Sequence, residues 1–245
     1  MRRYFDFSGK IVLVTGSTRG IGRVVAETFA KQGALVIINS RTEGDVKNTA
    51  AIFNTKGYSA EGIAADVGDK NAVRVMFEKI EREFGHVDIL VNNAALRPLS
   101  PIEAIDDTSW AQVLNVNFLG ALHVTQTAVA LMKPRRAGSI ISISSIAALK
   151  LPEYYIGLHY AVSKGALLSF TRSIAKELGP FGIRANAVIC GPVDKDTGQE
   201  FSLGIKEESF LKRLCTPQEV AWVCLFLASD SSSCITGEYI TTGGY

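Results

Sequence analysis

Tyr160 and Lys164 stand four residues apart in the run Tyr160-Ala161-Val162-Ser163-Lys164. On a helix, that spacing places both side chains on one face. An ammonium beside a phenol favours the phenolate. It therefore lowers the phenol's pKa from about 10 toward the range useful for proton transfer near neutrality. Upstream, Ser142, Ser144 and Ser145 close a β-branched apolar run, and open α/β sheets bind ligands at the carboxyl ends of their strands. A serine hydroxyl there can hold a substrate carbonyl while the tyrosine supplies a proton. Nucleophilic attack by serine would need a base, and no histidine is placed to act as one. His159 precedes Tyr160 by one residue and points about 100° away from it on a helix, which makes it peripheral.

A second constellation lies near the N-terminus: Thr15-Gly16-Ser17-Thr18-Arg19-Gly20-Ile21-Gly22 follows the apolar run Ile11–Val14. A strand, a glycine-rich turn and a helix form a phosphate-binding arrangement. Glycines allow close backbone approach, and free N–H groups at the helix start face the anion. The alternative reading is three glycines serving tight packing alone. The end of a second strand faces the adenosine ribose in such folds. An acid there suits a 2′-hydroxyl, and an arginine suits a 2′-phosphate. The chain has Ser40-Arg41 and no acid at that strand end, with Arg19 in the glycine turn, so NADP(H) is expected over NAD(H). Asp66-Val67 closes a third strand, as an acceptor for the adenine amine or as a turn or N-cap acid. Asn92-Asn93-Ala94-Ala95 closes a fourth. Its small residues let a cofactor lie against the backbone, unless the run is only an Asn-rich turn.

The elements that must position these groups follow from periodicity. Lys10–Thr15, Leu35–Ser40, Ala60–Ala65, Val87–Asn92, Ser139–Ser144, Arg184–Ile189 and Glu238–Thr241 read as strands. Near-continuous apolar runs suit a parallel sheet covered on both faces. Helices are expected over Gly20–Gln32, Asp45–Lys56, Asn71–Phe84, Asp107–Lys133, Tyr160–Leu178 and Pro217–Ala228, with Pro217 in a first helical turn. The alternation runs through residues 1–245 without a linker or a repeat. It predicts one doubly wound α/β domain with a seven-stranded parallel sheet. The polar segment Asp194–Leu214 reads as a substrate lid.

Composition excludes other classes. Lys plus Arg is 26 and Asp plus Glu is 24, a formal net charge of +2, too balanced for a general nucleic-acid or anionic-membrane binder. No apolar run approaches a membrane-spanning length, and no secretory signal is expected. Cys190, Cys215, Cys224 and Cys234 form no CxxC pair and read as free thiols in a reducing compartment. The three histidines show no ligand spacing, so no metal is expected.

Taken together, these motifs resemble the short-chain dehydrogenase/reductase family over essentially the whole chain. The resemblance rests on Thr15–Gly22, Asp66-Val67, Asn92-Asn93-Ala94, Asn117 in Val116-Asn117-Phe118-Leu119-Gly120, Ser145 after Ile143-Ser144, Tyr160–Lys164, Thr236-Gly237 and Gly243-Gly244. It implies a Rossmann-type fold and a centre of Ser145, Tyr160, Lys164 and Asn117. Tyr160 would be the general acid in reduction. Lys164 would lower its pKa and bind the nicotinamide ribose, and Ser145 would orient the carbonyl. Asn117 would hold a water that links Lys164 to solvent. Ser144 competes for the serine role, but the small-residue turn after Ser145 fits the family pattern better. The cofactor is expected at Gly16, Ser17, Arg19, Gly20, Ile21, Gly22, Ser40, Arg41, Asp66, Val67, Asn93, Ala94, Tyr160, Lys164, Gly191 and Val193.

The implied function is that of an NADP(H)-dependent carbonyl reductase or alcohol dehydrogenase. It is similar to 3-oxoacyl carrier-protein reductases, with cyclic ketones as another substrate class. The other reading is an NADPH-binding sensor or scaffold without turnover. The resemblance also implies a cytoplasmic homotetramer or homodimer. Departures from the family pattern fall at Cys190-Gly191, at Lys195 where a Thr commonly stands, at Ala95, at Thr242-Gly243-Gly244, and in a longer Ser145–Tyr160 segment carrying Glu153, Tyr154 and Tyr155. With Leu96, Ile146, Leu149 and Phe201, the two tyrosines suggest an apolar pocket. Arg97 meets either an anionic substrate or only solvent.

Overall fold

The structure, a computed structural model, describes residues 5–150, 157–194 and 209–244. Seven strands form one all-parallel sheet in the order β3-β2-β1-β4-β5-β6-β7. They are β1 (Ile11–Val14), β2 (Leu35–Ser40), β3 (Ser59–Ala64), β4 (Ile89–Asn92), β5 (Gly138–Ser145), β6 (Ile183–Cys190) and β7 (Tyr239–Thr242). The helices are α1 (Gly20–Lys31), α2 (Glu43–Thr55), α3 (Lys70–Phe84), α4 (Asp107–Leu114), α5 (Gly120–Met132), α6 (Leu158–Leu178) and α7 (Pro217–Ala228).

Strand alternation divides the core into two layers. Val12 and Val14 of β1, Val36 and Ile38 of β2, and Ile89 and Val91 of β4 point to one face, where Phe29 of α1, Phe53 of α2 and Leu225 of α7 cover them. Leu13, Ile37 and Leu90 point to the other, against Met76 and Ile80 of α3, Val124 and Met132 of α5, and Leu178 of α6. Strands buried on both faces need apolar residues at every position, which is why these runs are continuous and not alternating. Each fully buried Leu or Ile contributes about 1.5–3 kcal/mol.

Local signals set the helix ends. Asp69 caps α3 by accepting from Asn71 N at 2.8 Å and Ala72 N at 3.2 Å, and Gly85 ends it in the left-handed region at φ 79°. Thr216 caps α7 with a reciprocal bond to Glu219, and Pro217 takes the first helical position, where its missing N–H is no loss.

The helix expected over Asp107–Lys133 is not a uniform α-helix. It runs as α4, then a π-turn over Asn115–Leu119, then α5. One wider turn rotates the residues that follow it, and Asn117 sits at its centre. Most of the expected lid, residues 195–208, and Glu153, Tyr154 and Tyr155 lie outside the described residues. Among the described residues, no helix is long and apolar enough to cross a membrane. Nor are three or more His, Cys, Asp or Glu side chains grouped to hold a metal ion.

Candidate active site

Strand order reverses between β1 and β4, which are direct neighbours although α1, β2, α2, β3 and α3 separate them in the chain. A crevice must open at the carboxyl ends of the strands at such a point. A cavity of about 650 Å³ lies there. Its wall runs from Gly16, Arg19–Gly22, Ser40 and Arg41, past Asp66, Val67, Asn93 and Ala94, to Ser145, Tyr160, Lys164, Gly191 and Val193.

The glycine turn is built for close approach. Gly16 has φ 63°, and a Cβ on it would sit 2.9 Å from Ala94 Cα. A Cβ on Gly22 would lie 2.4 Å from Asn93 Nδ2 and 2.5 Å from Gly16 O. Asn93 is the brace: its Nδ2 donates to Thr15 O at 2.8 Å and Gly16 O at 3.0 Å. Thr15 Oγ1 accepts from Asn93 N and Ala94 N at 2.9 and 3.1 Å. Asn93 therefore shapes the turn as well as lining the cavity.

Ser17 departs from expectation. It is absent from the cavity wall and fully buried. Its hydroxyl donates to Val14 O at 2.7 Å and accepts from Asn39 N at 3.0 Å. It ties the turn to β2 and presents nothing to a ligand through its side chain.

These residues fit a dinucleotide. The start of α1 has no side-chain cap and no acid in its first turn, which leaves its N–H groups and dipole for an anion. The Ser40 hydroxyl has no hydrogen-bond partner and is buried. Arg19 and Arg41 both face the cavity, as does Asp45 on the first turn of α2. Sequence reasoning found no acid at the end of β2 and missed this one, because it stands on the first turn of the following helix. Asp66 accepts from Gly68 N at 2.9 Å through one oxygen, so it shapes a turn while lining the cavity.

At the other end of the cavity, β5 and α6 bring Ser145, Tyr160 and Lys164 together. The Ser145 hydroxyl lies close enough to the Tyr160 phenol to favour its phenolate. Ser144 also lines the cavity, but its Oγ donates to Lys164 O at 2.9 Å. Of the two competing serines, the structure places Ser145 against the phenol. Lys164 is buried, with Nζ donating to Ile143 O at 2.7 Å and standing 5.7 Å from the Tyr160 ring centre.

The expected lowering of the phenol pKa is not what this pocket gives. Burial pushes the Tyr160 phenol above its ordinary value and outweighs the Ser145 hydroxyl and the charge of Arg97, both of which pull it down. The physical reason is that desolvation penalises the phenolate, while the Lys164 ammonium is aimed at a backbone carbonyl.

Asn117 is buried and does not line this cavity. Its Oδ1 accepts from Leu96 N at 2.7 Å. Its Nδ2 donates to Leu96 O and to Ser163 Oγ, both at 2.9 Å. Ser163 Oγ donates onward to Tyr160 O at 2.7 Å. The side chain expected to hold a relay water thus makes three bonds to protein partners. The clamp on Leu96 and the Ser163 bridge were not legible from spacing.

His159 is also buried, its Nε2 3.2 Å from Ser109 Oγ and its ring edge-on to Trp110. It does not line the cavity.

A doubly wound sheet with a phosphate-type turn at its reversal, and a phenol, a hydroxyl and an ammonium further along the same groove, is the frame of a nicotinamide-dependent oxidoreductase. The family model described as enoyl-(acyl carrier protein) reductase matches residues 16–245. The chain is 38% identical over 242 residues to the 3-oxoacyl-[acyl-carrier-protein] reductase of Aquifex aeolicus, covering 96% of each chain. It is similar in fold to a gluconate 5-dehydrogenase from Burkholderia cenocepacia in complex with NADP and tartrate, with TM-score 0.93 and 29% identity, covering 99% of this chain and 96% of that one. A 3-oxoacyl-[acyl-carrier protein] reductase from Brucella melitensis with bound NAD matches at TM-score 0.92 and 32% identity, over 99% of this chain and 94% of that one. The chain belongs to the short-chain dehydrogenase/reductase family. It is an oxidoreductase that transfers hydride between a nicotinamide cofactor and a C=O or CH–OH group.

Proposed function

We propose that the protein is an NADP(H)-dependent carbonyl reductase, working reversibly as a secondary-alcohol dehydrogenase. The observation that carries this reading is the meeting of Ser145, Tyr160 and Lys164 on one cavity wall, with Lys164 one helical turn behind the phenol.

In reduction, the carbonyl oxygen accepts hydrogen bonds from the Ser145 and Tyr160 hydroxyls. A phenol held above its ordinary pKa is fully protonated at neutral pH, which is the form a general acid needs. As charge develops on the carbonyl oxygen, Tyr160 gives up its proton to it. Bound nicotinamide supplies the hydride. Lys164 holds the ribose and steadies the phenolate left behind. Asn117 and Ser163 fix the start of α6 on which Tyr160 rides. In the dinucleotide groove, Arg19 and Arg41 meet the 2′-phosphate, and Gly16, Gly20, Ile21 and Gly22 present backbone to the pyrophosphate. Ser40, Asp66, Val67, Asn93, Ala94, Gly191 and Val193 supply the rest of the wall. A homotetramer suits the exposed Leu119, Leu158 and Val162, and light scattering reads that state directly.

Tyr160→Phe tests the assignment. Reduction of a carbonyl panel should fall by about 10²–10⁴-fold, the usual worth of a general acid, with NADPH affinity nearly kept. Undiminished turnover would refute it. Clear NADPH binding by the wild type without any turnover would instead point to a silent cofactor-binding protein.

A further inference from the structure

The two ends of the cavity differ in charge. At the adenosine end, Arg19 and Arg41 share the wall with Asp45 and Asp66. At the chemical end the charged groups are Lys164 and Arg97; Lys164 donates to Ile143 O at 2.7 Å and, in the reading above, has the ribose and the phenolate to serve. Leu96, Ser145, Ile146 and Tyr160 on the same wall are uncharged, and Arg97 is near enough to Tyr160 for its charge to act on the phenol. Among the described residues, no carboxylate is paired with it.

The position of Arg97 is held from both sides. Asn117 binds both backbone groups of the preceding residue, at 2.7 and 2.9 Å. The following residue, Pro98, restricts the Arg97 backbone to extended conformations. Pro98 O also lies so close to Gly157 that a Cβ there would sit 2.6 Å from it. The segment that carries Arg97 is thus wedged between the π-turn and the entry to α6. Arg97 is exposed at the cavity wall, and this anchoring of its backbone fixes the reach of the guanidinium relative to Tyr160.

We propose that Arg97 is the specificity-determining residue of this site, and that the substrate is an oxo acid whose carboxylate pairs with the guanidinium while its carbonyl meets Tyr160 and Ser145. A planar fork of N–H donors matches a carboxylate in bidentate fashion. This inference rests on the hydride-transfer reading above. The charge of Arg97 also draws the Tyr160 phenol down, so its removal affects neutral substrates too. The informative measure is therefore the preference for acid over neutral substrate.

The test is the NADPH-dependent reduction of 2-, 3-, 4- and 5-oxohexanoate and of their methyl esters at pH 7, by the wild type, Arg97→Gln and Arg97→Lys. The wild type should prefer the acid to its ester for at least one carbonyl position. Arg97→Gln should cut that preference by about 10- to 100-fold, chiefly through KM, as expected for a charge-assisted pair. Arg97→Lys, with the charge but not the fork, should fall between. Esters reduced as well as acids at every position, or a preference unmoved in Arg97→Gln, would overturn the Arg97 assignment and leave the enzyme reading standing. No reduction of any carbonyl by the wild type, with NADPH bound, would overturn both.

Discussion

The side-chain amide of Asn117 grips the main chain of Leu96 at both ends, accepting from its N–H at 2.7 Å and donating to its C=O at 2.9 Å. A residue in a π-turn thereby holds the loop after β4, and through Ser163 it also holds the first turn of α6. Replacing it with alanine leaves two backbone groups and the Ser163 hydroxyl short of a partner. Asn117→Ala should cost about 1–3 kcal/mol per buried group left unpaired, less whatever water recovers. For a domain of this size, that is a fall in Tm of at least about 2–4 °C per kcal/mol. Calorimetry checks it, and a Tm within a degree of wild type would show that the clamp carries no weight.

The Tyr160 phenol should titrate above pH 10, because burial is the largest influence on it and acts upward. The difference in phenolate absorbance between wild type and Tyr160→Phe isolates this one group. The sign for stability follows. A folded-state pKa above the unfolded value favours the protonated native form. The contribution is therefore complete below about pH 10 and fades as pH rises through the folded value. Wild type should lose stability faster than Tyr160→Phe above that point. A phenolate step in the neutral range would contradict the burial argument.

Arg41 and Asp45 face one cavity wall with opposite charges. Arg41→Asp should weaken NADPH by about 10- to 100-fold more than NADH, the scale of a charge-assisted bond to phosphate. Asp45→Asn should act in the opposite sense and more weakly, by removing a like charge near the 2′-phosphate. Fluorescence titration of both nucleotides measures the ratio. Equal losses for the two nucleotides in Arg41→Asp would show that this guanidinium does not read the phosphate.

The four cysteines should fall into kinetic classes. Cys234 is exposed, while Cys190, Cys215 and Cys224 are buried. Burial pushes the Cys215 thiol up and the Cys224 thiol well up, which suppresses the reactive thiolate. At neutral pH, a water-soluble disulfide reagent should label one thiol rapidly. Cys190 lines the cavity and should react next, more slowly. Peptide mapping identifies the sites, and fast labelling at Cys224 would contradict the packing.

Glu219 sits in the capping box of α7 and takes both guanidinium N–H groups of Arg213, at 2.8 and 2.5 Å. Its pKa is held down at about 2, chiefly by Arg213 and then by the Thr216 backbone. A depressed folded pKa stabilises above the unfolded value of about 4.3 and loses that contribution as pH falls toward 2. The pair is partly open to solvent, so the effect is small. Thr216→Ala removes the cap and should cost about 1 kcal/mol at neutral pH, read from urea denaturation. An unchanged midpoint would show that the helix start does not depend on it.

Much of this architecture was legible in the chain because its signals are local. Short continuous Val and Ile runs bounded by turn residues read as strands covered on both faces, and all seven expected strands occur within a few residues of their predicted bounds. The Tyr160–Lys164 spacing also reads directly, since a helix carries it. The chain could not reveal what depends on contacts between distant segments. Ser17 lies in a phosphate-type turn, yet it points inward because Val14 O and Asn39 N take its hydroxyl. The π-turn at Asn115–Leu119 is one turn inside a long helical stretch, and Asp107–Lys133 reads from its sequence as one helix. The phenol's upward shift comes from enclosure by other elements, whereas the i, i+4 lysine pointed the other way. Asp45 was passed over because it belongs by sequence to a helix and by space to the cofactor wall.

Because all seven strands run the same way, the molecule has a working rim and an idle one. Every group discussed for chemistry stands where strands end. Where strands begin, Gly57 before β3 and Gly85 before β4 make reversals with open space beside them. A tether, a fluorophore or an inserted peptide fixed at those reversals would sit a full strand length from the groove. An immobilised preparation oriented through them would present every molecule with its mouth to the solution.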